Sequence, residues 1–155
     1  MYIPKYFAAY EVLPESYYFK FKLANQWYFF DDRILKLADI VREKFYPEFG
    51  SAIINNWYWA DDDYAFQYSG YRPFLCKYGA TLSPHKFGRG LDIKFEKIMQ
   101  YSSPNEAQEA YCDIRKYIRQ HPDEFPGLRG LELNVRWLHI DTHNRHGEGI
   151  QTFHG

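Results

Sequence analysis

Leu131-Glu132-Leu133-Asn134-Val135-Arg136-Trp137-Leu138-His139-Ile140-Asp141-Thr142 is the stretch whose reading decides the fold. Side chains alternate between the two faces of a strand. Read as one strand, the stretch sets Trp137, His139 and Asp141 on one face and Leu138 and Ile140 on the other. The apolar face calls for a sheet covered on one side. The other face carries an imidazole and a carboxylate and is the place to look for chemistry.

Working outward, Gly88 and Gly90 precede a second strand, Leu91 to Phe95, with Leu91, Ile93 and Phe95 on one face and Asp92 on the other. Ser51 to Trp59 is rich in β-branched and aromatic residues and reads as a further strand. Asp31 or Asp32 caps a helix to Tyr46, with Ile34, Leu35, Ala38, Val41 and Phe45 at helical spacing and Pro47 and Gly50 ending it. Ser103-Pro104-Asn105-Glu106 reads as a capping box with Pro at the first helical position. Ala107, Ala110, Tyr111, Ile114, Tyr117 and Ile118 then form an apolar face, closed by His121-Pro122. Residues 1–30 read as an aromatic N-terminal segment packed on the domain, and 143–155 as a loose tail. The expected fold is α+β, a small and mostly antiparallel sheet flanked by helices, within one domain over 1–155.

The 155 residues can bury a core without staples, and the formal net charge of -1 gives no attraction to nucleic acid or anionic lipid. Aromatic residues make up 21% of the chain, enough either for core and interface or for a groove that stacks on sugars or peptides. Cys76 and Cys112 are too few for a disulfide framework and read as reduced thiols. No apolar run approaches the roughly 20 residues of a membrane span. Met1-Tyr2-Ile3-Pro4-Lys5-Tyr6 lacks the pattern of a signal peptide, so synthesis in the cytoplasm is expected.

His85, Asp92 and His139 make a three-ligand set for a divalent metal, most simply zinc, with a fourth position open for water or substrate. Two glycines between His85 and Asp92 let the chain bend so that they converge. Ser83 and Asp141 are candidates to orient the two imidazoles, and Trp137 to wall the pocket. Arg72, in the turn Tyr68-Ser69-Gly70-Tyr71-Arg72-Pro73, can aim at a carboxylate or a developing oxyanion; alone it reads as a surface arginine. Asp61-Asp62-Asp63 lacks the Gly and distal Glu of a calcium loop and reads as a solvated turn. His143 and His146 are a weaker second metal pair in the tail.

Ser69-Gly70-Tyr71-Arg72, then Ser83-x-His85-x-x-Gly88-x-Gly90-x-Asp92, then Trp137-Leu138-His139-Ile140-Asp141 resemble, in order and internal spacing, the motifs of the zinc D-Ala-D-Ala carboxypeptidase and L-alanyl-D-glutamate endopeptidase family. Ile53-Ile54-Asn55-Asn56-Trp57 resembles a strand of its phage-encoded members. The resemblance covers roughly residues 30 to 142. It implies the fold shared with the hedgehog signalling domain, and zinc on His85, Asp92 and His139. It implies Arg72 on the transition state, and Ser69, Tyr71, Ser83 and Trp137 around the substrate. The reaction implied is hydrolysis of an amide in peptidoglycan stem peptide by metal-activated water, after release to the cell wall or as a virion component.

The chain departs from that pattern at Arg136, where many family members carry the acidic general base three residues before the late histidine. Arginine cannot accept a proton at neutral pH. Asp141, on the same face as His139, is the preferred substitute. Glu132, an odd number of residues away, needs a bulge to reach the site. Activation by the metal alone, or a non-catalytic metal-binding virion or assembly protein of the same fold, are the alternatives.

Overall fold

The computed structural model describes residues 1–61 and 63–154; Asp62, in the acidic turn read at 61–63, lies outside them. The architecture is α+β, with one five-stranded mixed sheet and helices. Strands β1 (Ala52–Ile53), β2 (Gly90–Phe95), β3 (Gly130–Leu133), β4 (Leu138–Asp141) and β5 (Gln151–His154) stand in the order β1-β2-β4-β3-β5. All pairs are antiparallel except β3 with β5, which is parallel.

The expected strand from Leu131 to Thr142 is two strands. The chain reverses between β3 and β4 at Asn134, which takes a left-handed φ of 61°. Asparagine tolerates that conformation better than most residues. Arg115, from helix α6 (Pro104–Gln120), fixes the turn by donating from Nη2 to the carbonyls of Val135 and Trp137, each at 2.6 Å. The tail is not loose throughout either, since Gln151–His154 pairs residue for residue with Gly130–Leu133.

Leu91 and Ile93 on β2, Leu138 and Ile140 on β4 and Leu131 on β3 share the inner face and are fully buried. That face packs against α4 (Asp32–Phe49) and α6, through Ile34, Leu35, Ala38 and Val41 on one and Tyr111, Ile114 and Ile118 on the other, with the short α5 (Glu96–Met99) following directly on β2. Asp31 caps α4 by accepting from the Arg33 amide, and Ser103 caps α6 by accepting from the Asn105 amide. Pro47 lies within the last turn of α4 and does not end it; Gly50, at φ 76°, does.

The strand expected over Ser51 to Trp59 is only two residues long. Beyond it the two asparagines take over the bonding a strand partner would have made. The Asn55 side chain donates to the Leu13 carbonyl and accepts from the Ser69 amide, while Asn56 accepts from Phe66 and donates to Tyr64. Residues 1–30 form three short helices, α1 (Ala9–Val12), α2 (Glu15–Lys20) and α3 (Leu23–Gln26), and a 3₁₀ turn. Their task is to hold the 55–72 loop. The Val12 carbonyl accepts from the Tyr71 amide, and Gly70 lies so close to that carbonyl that any Cβ would overlap it. Among the described residues no helix is long and apolar enough to cross a membrane.

Asn55 is fully buried and bonds both the N-terminal segment and the loop. Asn55→Ala leaves the Leu13 carbonyl and Ser69 amide unpaired and is expected to cost about 1–3 kcal/mol. Urea denaturation checks this; an unchanged midpoint would contradict the bracing role.

Candidate metal centre

The outer face of the sheet is polar, and its register brings the site together. Asp92 on β2 pairs with His139 on β4. Gly130 pairs with Asp141 and Leu131 with Ile140, so the next step of the same register sets Glu132 beside His139. Glu132 in turn pairs with Phe153 on β5. Asp92, His139, Glu132 and Phe153 thus form one row across four strands, with directly opposed side chains ~5 Å apart.

His85 joins this row from the 3₁₀ turn Pro84–Phe87, packed beside β2. Its Nδ1–H donates to the Gly70 carbonyl at 2.8 Å, which leaves the Nε2 lone pair facing inward. Ser83, expected to orient His85, lines the pocket instead, and the Gly70 carbonyl does the orienting.

His85 Nε2, Asp92 Oδ1 and His139 Nδ1 converge, separated by 3.3, 2.8 and 3.3 Å. A tetrahedral ion with ligand bonds of 2.0–2.1 Å needs edges of about 3.3 Å. The three side chains are buried, and these residues can hold a metal ion. Arg72 Nη2 holds the second Asp92 oxygen, Oδ2, at 2.7 Å, leaving Oδ1 for the ion.

The electrostatics follow from burial and partners. Burial pushes the His85 imidazole below its ordinary value. Burial alone would raise Asp92, but the charge and hydrogen bonds of His85 and His139 outweigh it and hold the carboxyl well below the usual range. Burial alone would lower His139, but hydrogen bonds to Asp141 and Asp92 outweigh it and raise the imidazole to about 9. A metal ion needs both imidazole lone pairs free of protons, so its affinity is expected to fall as the pH falls.

Asp141 lies behind His139, not in the pocket. It is fully buried and accepts from His139 Nε2, from the His143 amide and from Arg145, whose Nη2 is 2.5 Å away. Its carboxylate sits over Gly130, where any Cβ would collide with it. These bonds to the charged form outweigh burial and keep the carboxyl below its ordinary range. Asp141 is thus built to orient His139, and the expectation that it takes the proton from water fails on position. Glu132 lines the pocket, together with Arg72, Ser83, Trp137 and Phe153. In one continuous strand Glu132 would face away from His139; across the hairpin the same odd spacing puts both on one face.

Tyr71, read as a substrate contact, packs instead among Tyr17, Phe29 and Phe30. Ser69 accepts from Lys94 Nζ at 3.0 Å and lines a neighbouring groove. His143 and His146 join no metal-binding group among the described residues. Two contributors carry no readable motif. Phe153 meets the His139 ring edge-on at 5.5 Å, and Arg145 lies over Phe153 at 4.2 Å while bonding Asp141. The tail therefore closes a ring of contacts around His139.

No protein-family model, curated protein or solved structure matches the chain.

His85→Ala and His139→Ala are each expected to abolish stoichiometric zinc, and full retention in both would refute the assignment. Arg145→Ala frees Asp141 and is expected to weaken zinc affinity by about 10–100-fold, as loss of outer-shell support does. Competition with a chromogenic chelator measures both.

Proposed function

We propose that the protein is a zinc-dependent peptidase that hydrolyses an amide bond in peptidoglycan stem peptide. The observation that carries this reading is the row Asp92–His139–Glu132, which joins metal-ligand atoms to a carboxylate that bonds none of them. A structural zinc site is closed by four protein ligands, whereas three ligands at a pocket of about 370 Å³ leave room for substrate. The ordered resemblance of Ser69–Arg72, Ser83–Asp92 and Trp137–Asp141 to the D-Ala-D-Ala carboxypeptidase and L-alanyl-D-glutamate endopeptidase motifs supports the fold assignment and the substrate class. Action on the cell wall after release, or as part of a virion, belongs to the same proposal.

His85, Asp92 and His139 would hold a zinc ion, which would supply Lewis acidity toward the carbonyl and acidify water. Glu132 takes the proton from the water as its oxygen adds to the carbonyl carbon. It then returns that proton to the departing nitrogen as the C–N bond breaks. Arg72 uses Nη2 on Asp92 and keeps Nη1 on the pocket side, beside Gly79, where it meets the developing oxyanion. Trp137 and Phe153 wall the pocket and exclude bulk water.

A second reading is a non-catalytic metal-binding member of the same fold, serving in a virion or its assembly. Arg136 at the family's acidic position favours it, as does the commitment of Arg72 to Asp92. The two readings part on one comparison. Zinc near one per chain with metal-dependent release of peptides from purified peptidoglycan, lost in His85→Ala, is the result expected of the enzyme. Zinc without hydrolysis leaves the binding protein.

Within the enzyme, Glu132→Gln is expected to keep zinc and lower turnover by about 10²–10⁴-fold, the usual worth of a general base. Turnover unchanged in Glu132→Gln would remove Glu132 from the mechanism.

A further inference from the structure

Arg72 stands between two cavities. On one side is the metal pocket; on the other is a groove of about 420 Å³, lined among others by Phe66, Gln67, Tyr68, Ser69 and Tyr78. The Ser69 carbonyl accepts from the Asp92 amide at 2.8 Å, so the chain at Ser69 runs beside β2 as a strand would. Neighbouring strands lie ~4.8 Å apart. Ser69, which lines the groove, is therefore one strand spacing from a metal-ligand residue.

The chemistry of this groove differs from that of the metal pocket. Among the described residues that line it, Arg72 alone is charged. Its guanidinium is engaged, Nε by the Tyr68 carbonyl and Nη2 by Asp92. Lys94 is not in the lining; its ammonium covers one face of the Phe66 ring at 4.1 Å and donates to Ser69 Oγ at 3.0 Å. What faces the groove is rings, hydroxyls and an amide. The Tyr68 and Tyr78 rings meet at 5.4 Å and 38°, as two adjoining planes, and Tyr78 is 51% exposed. Ser69 is buried and keeps its hydroxyl proton to donate, because its oxygen is the acceptor from Lys94. Gln67 Oε1 accepts from the Glu15 amide, which leaves Nε2 to donate. A purely apolar ligand would leave the Ser69 hydroxyl unpaired, which is costly for a buried group. A charged ligand would meet no unengaged counter-charge. The match is a neutral ligand with flat C–H faces and a rim of oxygens, which is a pyranose ring.

We infer that this groove is a sugar subsite, which holds a neutral N-acetylated hexose of the glycan strand to which the peptide in the metal pocket is joined. The Tyr68 and Tyr78 rings stack on the C–H face of the sugar, the amphipathic use to which exposed tyrosines are suited. Ser69 Oγ and Gln67 Nε2 donate to its hydroxyl and acetamido oxygens. The inference rests on the peptidase reading for the N-acetyl group and for the link between sugar and peptide, and on the groove alone for the pyranose.

The test is titration of the zinc-loaded full chain with the β-1,4-linked tetramer of N-acetylglucosamine, a glycan without any peptide, followed by NMR. The wild type is expected to bind it saturably. Tyr78→Ala and Tyr68→Ala should each weaken binding by about tenfold, the scale of one lost ring contact. Tyr78→Phe should restore affinity to within a few-fold, since the ring and not the hydroxyl carries the stacking. Unchanged zinc content in the variants shows that they fold. A wild type that does not bind the tetramer, or an affinity indifferent to both alanine substitutions, overturns the inference. Tyrosine-dependent sugar binding by a chain that releases no peptide from peptidoglycan would uphold the subsite and fell the peptidase. Peptide release by a chain that does not bind the tetramer would do the reverse.

Discussion

The antiparallel register of β2, β4 and β3 is the constraint on which the rest depends. It opposes Asp92 to His139 and carries the same row on to Glu132 and Phe153. Because the side-chain period of a strand is two, a slip of one residue in either pairing would bury the ligands among Leu91, Ile140 and Leu131 and expose those apolar residues instead. The inner face fixes the register through hydrophobic burial, and the outer face inherits the site. Stability and chemistry are thus two faces of one pairing.

Burying two imidazoles and two carboxylates beside one another is expensive unless each finds a partner. Here each does. Asp92 gives one oxygen to the imidazoles and the other to Arg72; Asp141 supports His139 from behind and is itself held by Arg145; Gly70 accepts from His85. These supports come from distant segments. The N-terminal helices brace Gly70 and Tyr71 through the Val12 carbonyl, and the C-terminal strand brings Phe153 against His139. Both ends of the chain therefore serve the centre, which explains why so many aromatic residues near the start pack on the loop that bears Arg72.

Much of this was legible in the sequence. The α+β class, the two long helices with their caps, and the apolar alternation of β2 and β4 all followed from local pattern. His85, Asp92 and His139 stood out by residue type, but with histidines also at 121, 143, 146 and 154 it was the resemblance of the ordered motifs that singled out this triple, which the structure brings together. A period-two count puts Glu132 on the face opposite His139, but that count holds only for an unbroken strand, and the chain turns between β3 and β4. The signal for that turn was Asn134, the residue in this stretch best suited to a left-handed conformation. The Ser51–Trp59 strand failed because asparagine side chains replace backbone pairing there, and β-propensity does not register that exchange. Phe153 and Arg145 were invisible for another reason. Their roles are set wholly by the parallel pairing of β5 with β3, which brings the chain end back from beyond a glycine-rich loop.

Anomalous diffraction at the zinc edge from crystals of the zinc-loaded protein would locate the ion. A single strong peak is expected, bonded to His85 Nε2, Asp92 Oδ1 and His139 Nδ1, with Glu132 in the cavity beside it and outside bonding distance. A peak elsewhere, or ligation by Glu132 that closes the fourth position, would contradict that assignment.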